Sequence, residues 1–141
     1  MSDLGRVCGP VIGATQQVVD EPATAAIFLV VTVHDGAEDV IRDLLADTSA
    51  LVRSVGFRSP EGDLSCVVGV GSRFWDRIFG TPRPAHLHPF IPLAGPVHTA
   101  VSTPGDLLFH LRARRMDLCF ELAGQLMNRL RGSVDVVDEV H

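Results

Sequence analysis

The chain contains no lysine, and no apolar run in it approaches the roughly 20 residues that a membrane span requires. All 12 basic residues are arginines, which suits recognition by guanidinium groups. Because the arginines are scattered, codon usage in a GC-rich genome explains them better. The first residues also lack the basic start and apolar core of a secretory signal. These absences predict a cytoplasmic protein with no membrane partner.

The charge balance is acidic. The 12 arginines are outnumbered by 17 acidic residues, which gives a net charge of −5. Binding to a phosphate backbone needs a basic footprint, so nucleic acid is not expected as a partner. A length of 141 residues with 46% hydrophobic and 21% charged residues is typical of one globular, soluble domain.

The three cysteines, Cys8, Cys66 and Cys119, are odd in number and widely spaced, and none belongs to a CxxC pair. Such a pattern predicts neither a disulfide framework nor a zinc site, and we interpret the cysteines as buried or idle thiols. Cys8 lies in a lead, residues 1–24, that we expect to be flexible because it is polar and precedes the first buried element.

Hydrophobic periodicity predicts two similar halves within residues 25–141. The run AAIFLVVTV is almost continuously apolar, which is typical of a well-buried strand. Apolar residues at helical spacing follow, and Gly56 ends that helix. The predicted strands are residues 25–33, 64–70, 107–113 and 134–140, and the predicted helices are residues 38–55, 72–79 and 116–130.

The order β-α-β-loop-β-α-β predicts an α+β, ferredoxin-like fold of the split β-α-β type. In that fold a four-stranded antiparallel sheet carries its helices on one face. The strands starting near Ile27 and Leu107 should be adjacent and central, because their apolar density is highest. The strand over residues 134–140 should lie at an edge, since Asp135, Asp138 and Glu139 discourage further pairing.

The sheet face opposite the helices, called here the open face, should carry Val67, Leu108 and Val137. His110 and Arg112 should point outward. An uncovered apolar face predicts a partner, either another domain or another copy of the chain, and we expect the chain alone to self-associate or aggregate. On the last helix the predicted core-facing stripe is Met116, Cys119, Phe120, Ala123, Met127 and Leu130.

Gly69, Gly71 and Ser72 follow a strand and open a helix, as in a dinucleotide-binding turn. Phe74 stands where the third glycine of that fingerprint belongs, and no acidic residue follows at ribose-binding distance. A tight turn with a serine cap explains the pattern better.

Three histidines, His86, His88 and His98, lie in a proline-rich loop. No carboxylate or thiolate lies near them in sequence to complete a metal-ligand set. Loop histidines that bond to the backbone or face water explain this spacing better than a metal site does.

The remaining polar clusters give equally weak evidence for a functional site. The arginines at positions 112, 114 and 115 suit either binding of a partner's carboxylate or a solvated charged edge. Three serines, at positions 65, 72 and 102, lack a GxSxG motif. The last residues of the sequence include Asp138, Glu139 and His141. Three polar residues at a chain end are weak evidence for acid–base catalysis. We therefore name no catalytic, cofactor-binding or metal-binding residue.

Six of the nine prolines lie between Gly80 and Asp106, and a loop this long is usually functional or a linker. In and after it, the strings AHLHPFIPL, GPVH and STPGDLLFHLRA resemble the first half of bacterial dye-decolorising peroxidases, over about residues 25–141. That family has a duplicated ferredoxin-like fold. The resemblance implies a haem b enzyme that uses hydrogen peroxide to oxidise dyes and phenolic compounds, with a second ferredoxin-like domain downstream.

The catalytic groups of that family have no match here. The family uses a distal Asp in a Gly-x-x-Asp-Gly motif, a distal Arg and a proximal His. The Asp35-Gly36 pair has Thr32 where the first glycine belongs. Because the resemblance places the axial histidine in the second half, His110 is interpreted as a structural histidine. We expect residues 25–141 to be the first of two domains, and to bind no haem alone.

Three functions remain open. The first is the N-terminal domain of a haem peroxidase, and the second is a non-catalytic ferredoxin-like oligomerisation module. The third is a cofactor-free oxygenase or ligand-binding protein, which would need a buried polar pair in the cleft between sheet and helices. The resemblance also implies homo-oligomers. For some full-length relatives it implies an encapsulin shell, reached through a C-terminal targeting tail that this chain lacks.

Overall fold

The computed structural model describes residue 16 and residues 18–141, so Cys8 and most of the lead over residues 1–24 lie outside the described residues. No helix in the described part is long and apolar enough to cross a membrane. The strands are β1 (Ala25–Val33), β2 (Ser65–Val70), β3 (Leu93–Ala94), β4 (Thr99–Ala100), β5 (Leu107–Ala113) and β6 (Val134–Val140). The helices are α1 (Glu38–Gly56), α2 (Ser72–Phe79) and α3 (Met116–Leu130), with a short 3-10 turn at Pro60–Gly62.

The main sheet has the order β2-β5-β1-β6, and all of its pairs are antiparallel. β1 and β5 are therefore adjacent and central, as their apolar density predicts, with Ile27 opposite Leu111 in the register. β6 lies at an edge, as predicted. The predicted four-stranded antiparallel sheet with its helices is confirmed.

The core lies between the sheet and the two long helices. β1 and β5 contribute alternate side chains that are almost completely buried, including Val31 and Phe109, and α1 contributes Ile41 and Leu44. These apolar side chains remove a large area from water, which supplies the main driving force for folding. The fully buried side chains of α3 are Cys119, Leu122, Leu126 and Leu130.

The predicted face of α3 was partly wrong. Phe120 is 51% exposed, whereas Leu118, Leu122 and Leu126 are buried. Apolar residues occupy most of the circumference of α3, so periodicity alone does not fix its rotation about its axis. The sheet selects the leucines at four-residue spacing, while Met116, Ala123 and Met127 flank them, partly buried.

Arg112 also departs from its prediction. Its side chain does not extend into solvent, because the residue is only 8% exposed. It lines a cavity of about 380 Å³ together with Arg114 and the acidic residues Asp20, Glu21 and Asp63. The interpretation as a solvated edge therefore fails for Arg112, and it holds for the exposed Arg114 and Arg115.

The two edges of the sheet differ in chemistry. β6 carries three acidic residues, whereas β2 has the uncharged sequence SCVVGV. At the outer edge of β2 the side-chain amide of Gln16 takes the place of a neighbouring strand. The Val68 N–H donates to Gln16 Oε1 at 2.6 Å, and Gln16 Nε2 donates to the Val68 carbonyl at 3.0 Å.

Candidate interaction surface

The open face carries an aromatic pair at its centre. Phe28 on β1 and His110 on β5 are directly opposite in the register, and their rings stack with centroids 4.1 Å apart and planes 15° apart. Phe28 is 40% exposed and the neighbouring Leu108 is 37% exposed. These side chains present an apolar patch on the face that the helices leave uncovered.

The pKa of His110 is lowered, first by burial and then by the positive charge of Arg112. His110 is therefore neutral at pH 7, because a depressed pKa lies below the ordinary value of about 6.5. A neutral imidazole that stacks on Phe28 avoids the large cost of burying a charge, but its ring N–H still needs a hydrogen-bond partner when another surface covers it. The centre of the open face is thus suited to burial by a partner that supplies such an acceptor.

The STPGD string fastens the long loop back to the sheet. The Asp106 N–H donates to the Val31 carbonyl at 2.9 Å, and the Asp106 carbonyl accepts from the Gly71 N–H at 2.8 Å. The Asp106 carboxylate accepts from the Val33 N–H at 2.8 Å. The motif that carries the family resemblance therefore has a structural role in this domain.

Two glycines permit that crossing. A Cβ on Gly71 would lie 2.5 Å from the Gly105 carbonyl oxygen, and a Cβ on Gly105 would lie 2.7 Å from Val30 Cγ1. The close approach of the two backbones explains why position 71 is a glycine, and no bound phosphate is needed to account for it. It also places the end of the long loop against Val30, which lies on the open face opposite Leu108.

Arg77 on α2 contacts the end of β1, the turn that follows it, the start of α1 and the Phe74 ring within α2. No sequence motif identifies this arginine. Its guanidinium binds Glu38 Oε1 through Nη2 at 2.7 Å, and donates to the carbonyls of Val33 and His34 at 3.1 Å each. It also lies 5.2 Å from the centroid of the Phe74 ring. The hydrogen bond from Arg77 is the main cause of the lowered pKa of Glu38. Since 39 positions separate Glu38 from Arg77, their pairing depends on the tertiary fold.

Residues 84–101, called here the arm, leave the domain between α2 and β5. The arm folds on itself into the small β3–β4 hairpin, whereas the sequence predicts only a loop here. Its hydrogen bonds are local: the Leu87 N–H donates to the Pro84 carbonyl, and the Gly95 N–H donates to the His98 carbonyl. The arm is exposed along almost its whole length.

The three loop histidines lie on the arm. His88 Nδ1 is 2.8 Å from the Pro89 carbonyl oxygen, which fits a histidine that bonds to the backbone. Within residues 16 and 18–141, no three His, Cys, Asp or Glu side chains come together in an arrangement that would hold a metal ion.

A cavity of about 590 Å³ lies between the base of the arm and the start of α2. Ser72, His88, Ser102 and Asp106 all contribute to its wall. Two of the serines considered as nucleophiles are thus brought to one cavity. The third, Ser65, lines a separate apolar groove of about 830 Å³ between α1 and β2.

The two described cysteines are both free. Burial raises the pKa of the Cys66 thiol to about 12. Burial, and then the negative charge of Asp117, also raises the pKa of Cys119. Both thiols are protonated at neutral pH and are therefore poor nucleophiles, as the sequence interpretation expects.

Two of the three acidic residues of β6 pair with histidines. His34 Nε2 lies 3.0 Å from Asp135 Oδ2, and His34 Nδ1 lies 3.1 Å from the Gly132 carbonyl. The hydrogen bond to Asp135 is the main cause of a raised pKa at His34. At the end of the strand His141 Nε2 lies 2.6 Å from Glu139 Oε1. The His141 ring also meets the exposed Phe120 edge-on at 5.1 Å. These contacts hold the edge strand β6 in place. The two acidic residues that make them, Asp135 and Glu139, lie at different points along β6.

Comparison with known proteins connects this domain to larger enzymes. The chain is 64% identical over 126 residues to a dye-decolorizing peroxidase of Brevibacterium linens, and 61% identical over 117 residues to one of Rhodococcus erythropolis. These alignments cover 89% and 83% of the chain but only 34% of each relative. The chain thus spans about a third of the length of the curated relatives it matches.

Solved structures agree in fold. The encapsulated DyP-type peroxidase from Mycobacterium smegmatis superposes with a TM-score of 0.85 at 51% identity, over 89% of this chain and 41% of that one. DyPB from Rhodococcus jostii gives 0.84 at 50% identity, over 90% of this chain and 42% of that one. A variant of that enzyme is in complex with haem. A model of the family "Dyp-type peroxidase, N-terminal" matches residues 15–141 of the chain. With the family model matched over residues 15–141 and both sequence and fold shared with these peroxidases, the chain belongs to the family of Dyp-type peroxidase N-terminal domains.

Proposed function

We propose that this chain is the N-terminal domain of a haem-dependent dye-decolorising peroxidase. In this proposal a second ferredoxin-like domain carries the haem, and the complete enzyme oxidises dyes and phenolic compounds with hydrogen peroxide. The observation that carries the proposal is the 64% identity to a dye-decolorizing peroxidase over 89% of the chain. The division of the chain into a lead over residues 1–24 and a domain over residues 25–141 is also part of this proposal.

The described residues do not fit a haem. An axial histidine needs a pocket with apolar walls that accept the macrocycle. His110 stacks face to face on Phe28 and lines none of the three cavities given above. His88 does line a cavity, but the wall there mixes apolar residues with Ser72, Ser102 and Asp106, and His88 Nδ1 lies 2.8 Å from the Pro89 carbonyl oxygen. No step of the reaction is therefore assigned to a haem held by this chain.

In this proposal the role of the domain is to support the haem-carrying half through the open face. The Phe28–His110 pair and Leu108 supply a largely apolar surface, and Asp138 borders it on β6, opposite Val30. Covering a few hundred Å² of such surface stabilises a complex by several kcal/mol, at about 25 cal/mol per Å². That amount is comparable to the whole stability of a small domain.

Reconstitution of the enzyme from two pieces tests this proposal. The chain is mixed with the remaining part of the Brevibacterium linens enzyme and haem, and the Soret absorption and peroxide-dependent dye oxidation are followed. We expect both signals from the mixture, and neither from residues 1–141 with haem alone. Leu108→Arg on the open face should weaken reconstitution, whereas Phe57→Arg, at an exposed residue after α1, should not.

Two outcomes would count against the proposal. One is a stoichiometric Soret band from the chain alone that disappears in His110→Ala. The other is reconstitution that Leu108→Arg leaves unchanged. If the two pieces bind each other but produce no oxidation, the alternative of a non-catalytic oligomerisation module is favoured, since the open face supports that function equally well.

The compartment and assembly form the last part of the proposal. We place the protein in the cytoplasm as a homo-oligomer, without nucleic acid or membrane partners. The Mycobacterium smegmatis neighbour is an encapsulated enzyme. That supports an encapsulin compartment for a full-length relative of this chain.

A further inference from the structure

The arm has a composition unlike the rest of the chain. All 12 arginines and all 17 acidic residues lie outside residues 84–101. An exposed segment of this length normally carries charges that keep it in water. The arm instead carries five large apolar side chains that are between 52% and 82% exposed, namely Phe90, Ile91, Leu93, Val97 and Val101. This is an apolar surface without a charged rim.

The arm is also held in shape before it meets a partner. Four prolines, at positions 84, 89, 92 and 96, restrict its backbone. The β3–β4 pairing and the turn from Gly95 to His98 close its tip. Ordering a loop on binding costs free energy, and a segment that is already ordered avoids much of that cost.

The occupant that best fits the arm is the arm of a second copy. A chain with a net charge of −5 repels its own copy. Contact through an uncharged segment avoids placing acidic groups against each other. A twofold contact uses the same patch on both partners, so an arm whose large exposed side chains are apolar is complementary to itself.

The area is sufficient for such a contact. If on the order of 100 Å² remains exposed on each of the five side chains, two arms contribute on the order of 1,000 Å², near the lower limit of specific interfaces. We propose that two copies of this chain associate through their arms, with residues 90–101 of one packed against residues 90–101 of the other. The inference deepens the homo-oligomer part of the proposed function and rests on it.

Sedimentation velocity of the 141-residue chain, from about 1 µM to about 100 µM, tests the proposal. We expect a concentration-dependent dimer. The double variant Ile91→Ser with Leu93→Ser should raise the dimer dissociation constant at least about tenfold, because a few central apolar residues dominate most interfaces. Both side chains are more than half exposed, so the domain should fold without them. The matched control is Phe57→Ser, which removes an exposed aromatic residue elsewhere and should leave dimerisation unchanged.

A second measurement locates the contact. Amide hydrogen exchange of residues 90–101 should slow as the dimer forms, and the open-face variant Leu108→Ser should dimerise as the wild type does. The proposal is overturned by a chain that stays monomeric, by an arm variant that dimerises normally, or by a Leu108→Ser variant that does not dimerise. Failure of reconstitution with haem would refute the peroxidase function without changing these results.

Discussion

Replacement of Gly71 with alanine should destabilise the domain by roughly 2–4 kcal/mol, through overpacking and loss of hydrogen bonds. The new Cβ would lie 2.5 Å from the Gly105 carbonyl oxygen, well inside van der Waals contact. Gly71 has a φ of −67° and a ψ of 151°, which alanine adopts readily. The effect therefore comes from the close approach of the two chain segments and not from backbone strain.

The loop has little freedom to move away from the new methyl group. Asp106 is held to Val31 and Val33, and its carbonyl accepts from the Gly71 N–H itself. Gly105 is in turn limited on its other side by Val30. Overpacking of a rigid site typically costs about 1–3 kcal/mol, and each weakened hydrogen bond adds about 1 kcal/mol. A loss of this size is a large part of the 5–15 kcal/mol that stabilises most domains.

Urea unfolding, followed by far-UV circular dichroism and by the fluorescence of Trp75, measures this loss. Gly124→Ala is the matched control, since nothing lies within 4 Å of a Cβ there and the position is inside α3. That control should stabilise the domain by about 0.5–1 kcal/mol, because alanine is the better helix former. If Gly71→Ala unfolds at the wild-type urea concentration, the crossing of the two segments is not as tight as described.

Two further predictions concern titration and reactivity. The pKa of His34 is raised by Asp135, so its contribution to stability should be complete below about pH 6.5 and lost as the pH rises through the folded-state pKa. Unfolding midpoints measured against pH should show this loss for the wild type and not for Asp135→Asn; an unchanged profile in the variant would contradict it. Because burial raises the pKa of Cys66 to about 12, Cys66 and Cys119 should react with a thiol reagent much more slowly in the native state than in urea. Rapid native-state labelling of Cys119, the more completely buried residue, would contradict the described burial.

Much of the fold could be read from the sequence because its elements carry strong, separate signals. The apolar runs of β1 and β5 identified the central strands, and the acidic residues of β6 identified an edge. The bounds of α2 and α3 agree with the structure, and Gly132 marks the stop of α3. The predicted serine cap of α2 was wrong, because Gly71 is the N-cap, Ser72 is the first helical residue, and no side chain bonds to the helix start. The rotation of α3 was not predictable, because Phe120 is as apolar as the leucines that the core selects.

The candidate surface was predictable only in part. Leu108 lies on the open face as expected, because strand alternation assigns it there. Arg77 could not be found from sequence, since its partners lie in a distant turn and on another helix. The stacking of Phe28 on His110 depends on the register between β1 and β5, which only the folded sheet defines.

The amide of Gln16 has a consequence for how the domain is handled in solution. It occupies the backbone N–H and C=O of Val68 on an edge strand that carries no charge of its own. Uncharged, apolar edges are templates for pairing between molecules, and they can grow into fibrils. A version of the protein shortened to begin at Ala25 would keep every element of the sheet but lose this cap. It should then form β-rich aggregates that bind thioflavin, while the acidic edge at β6 stays unpaired.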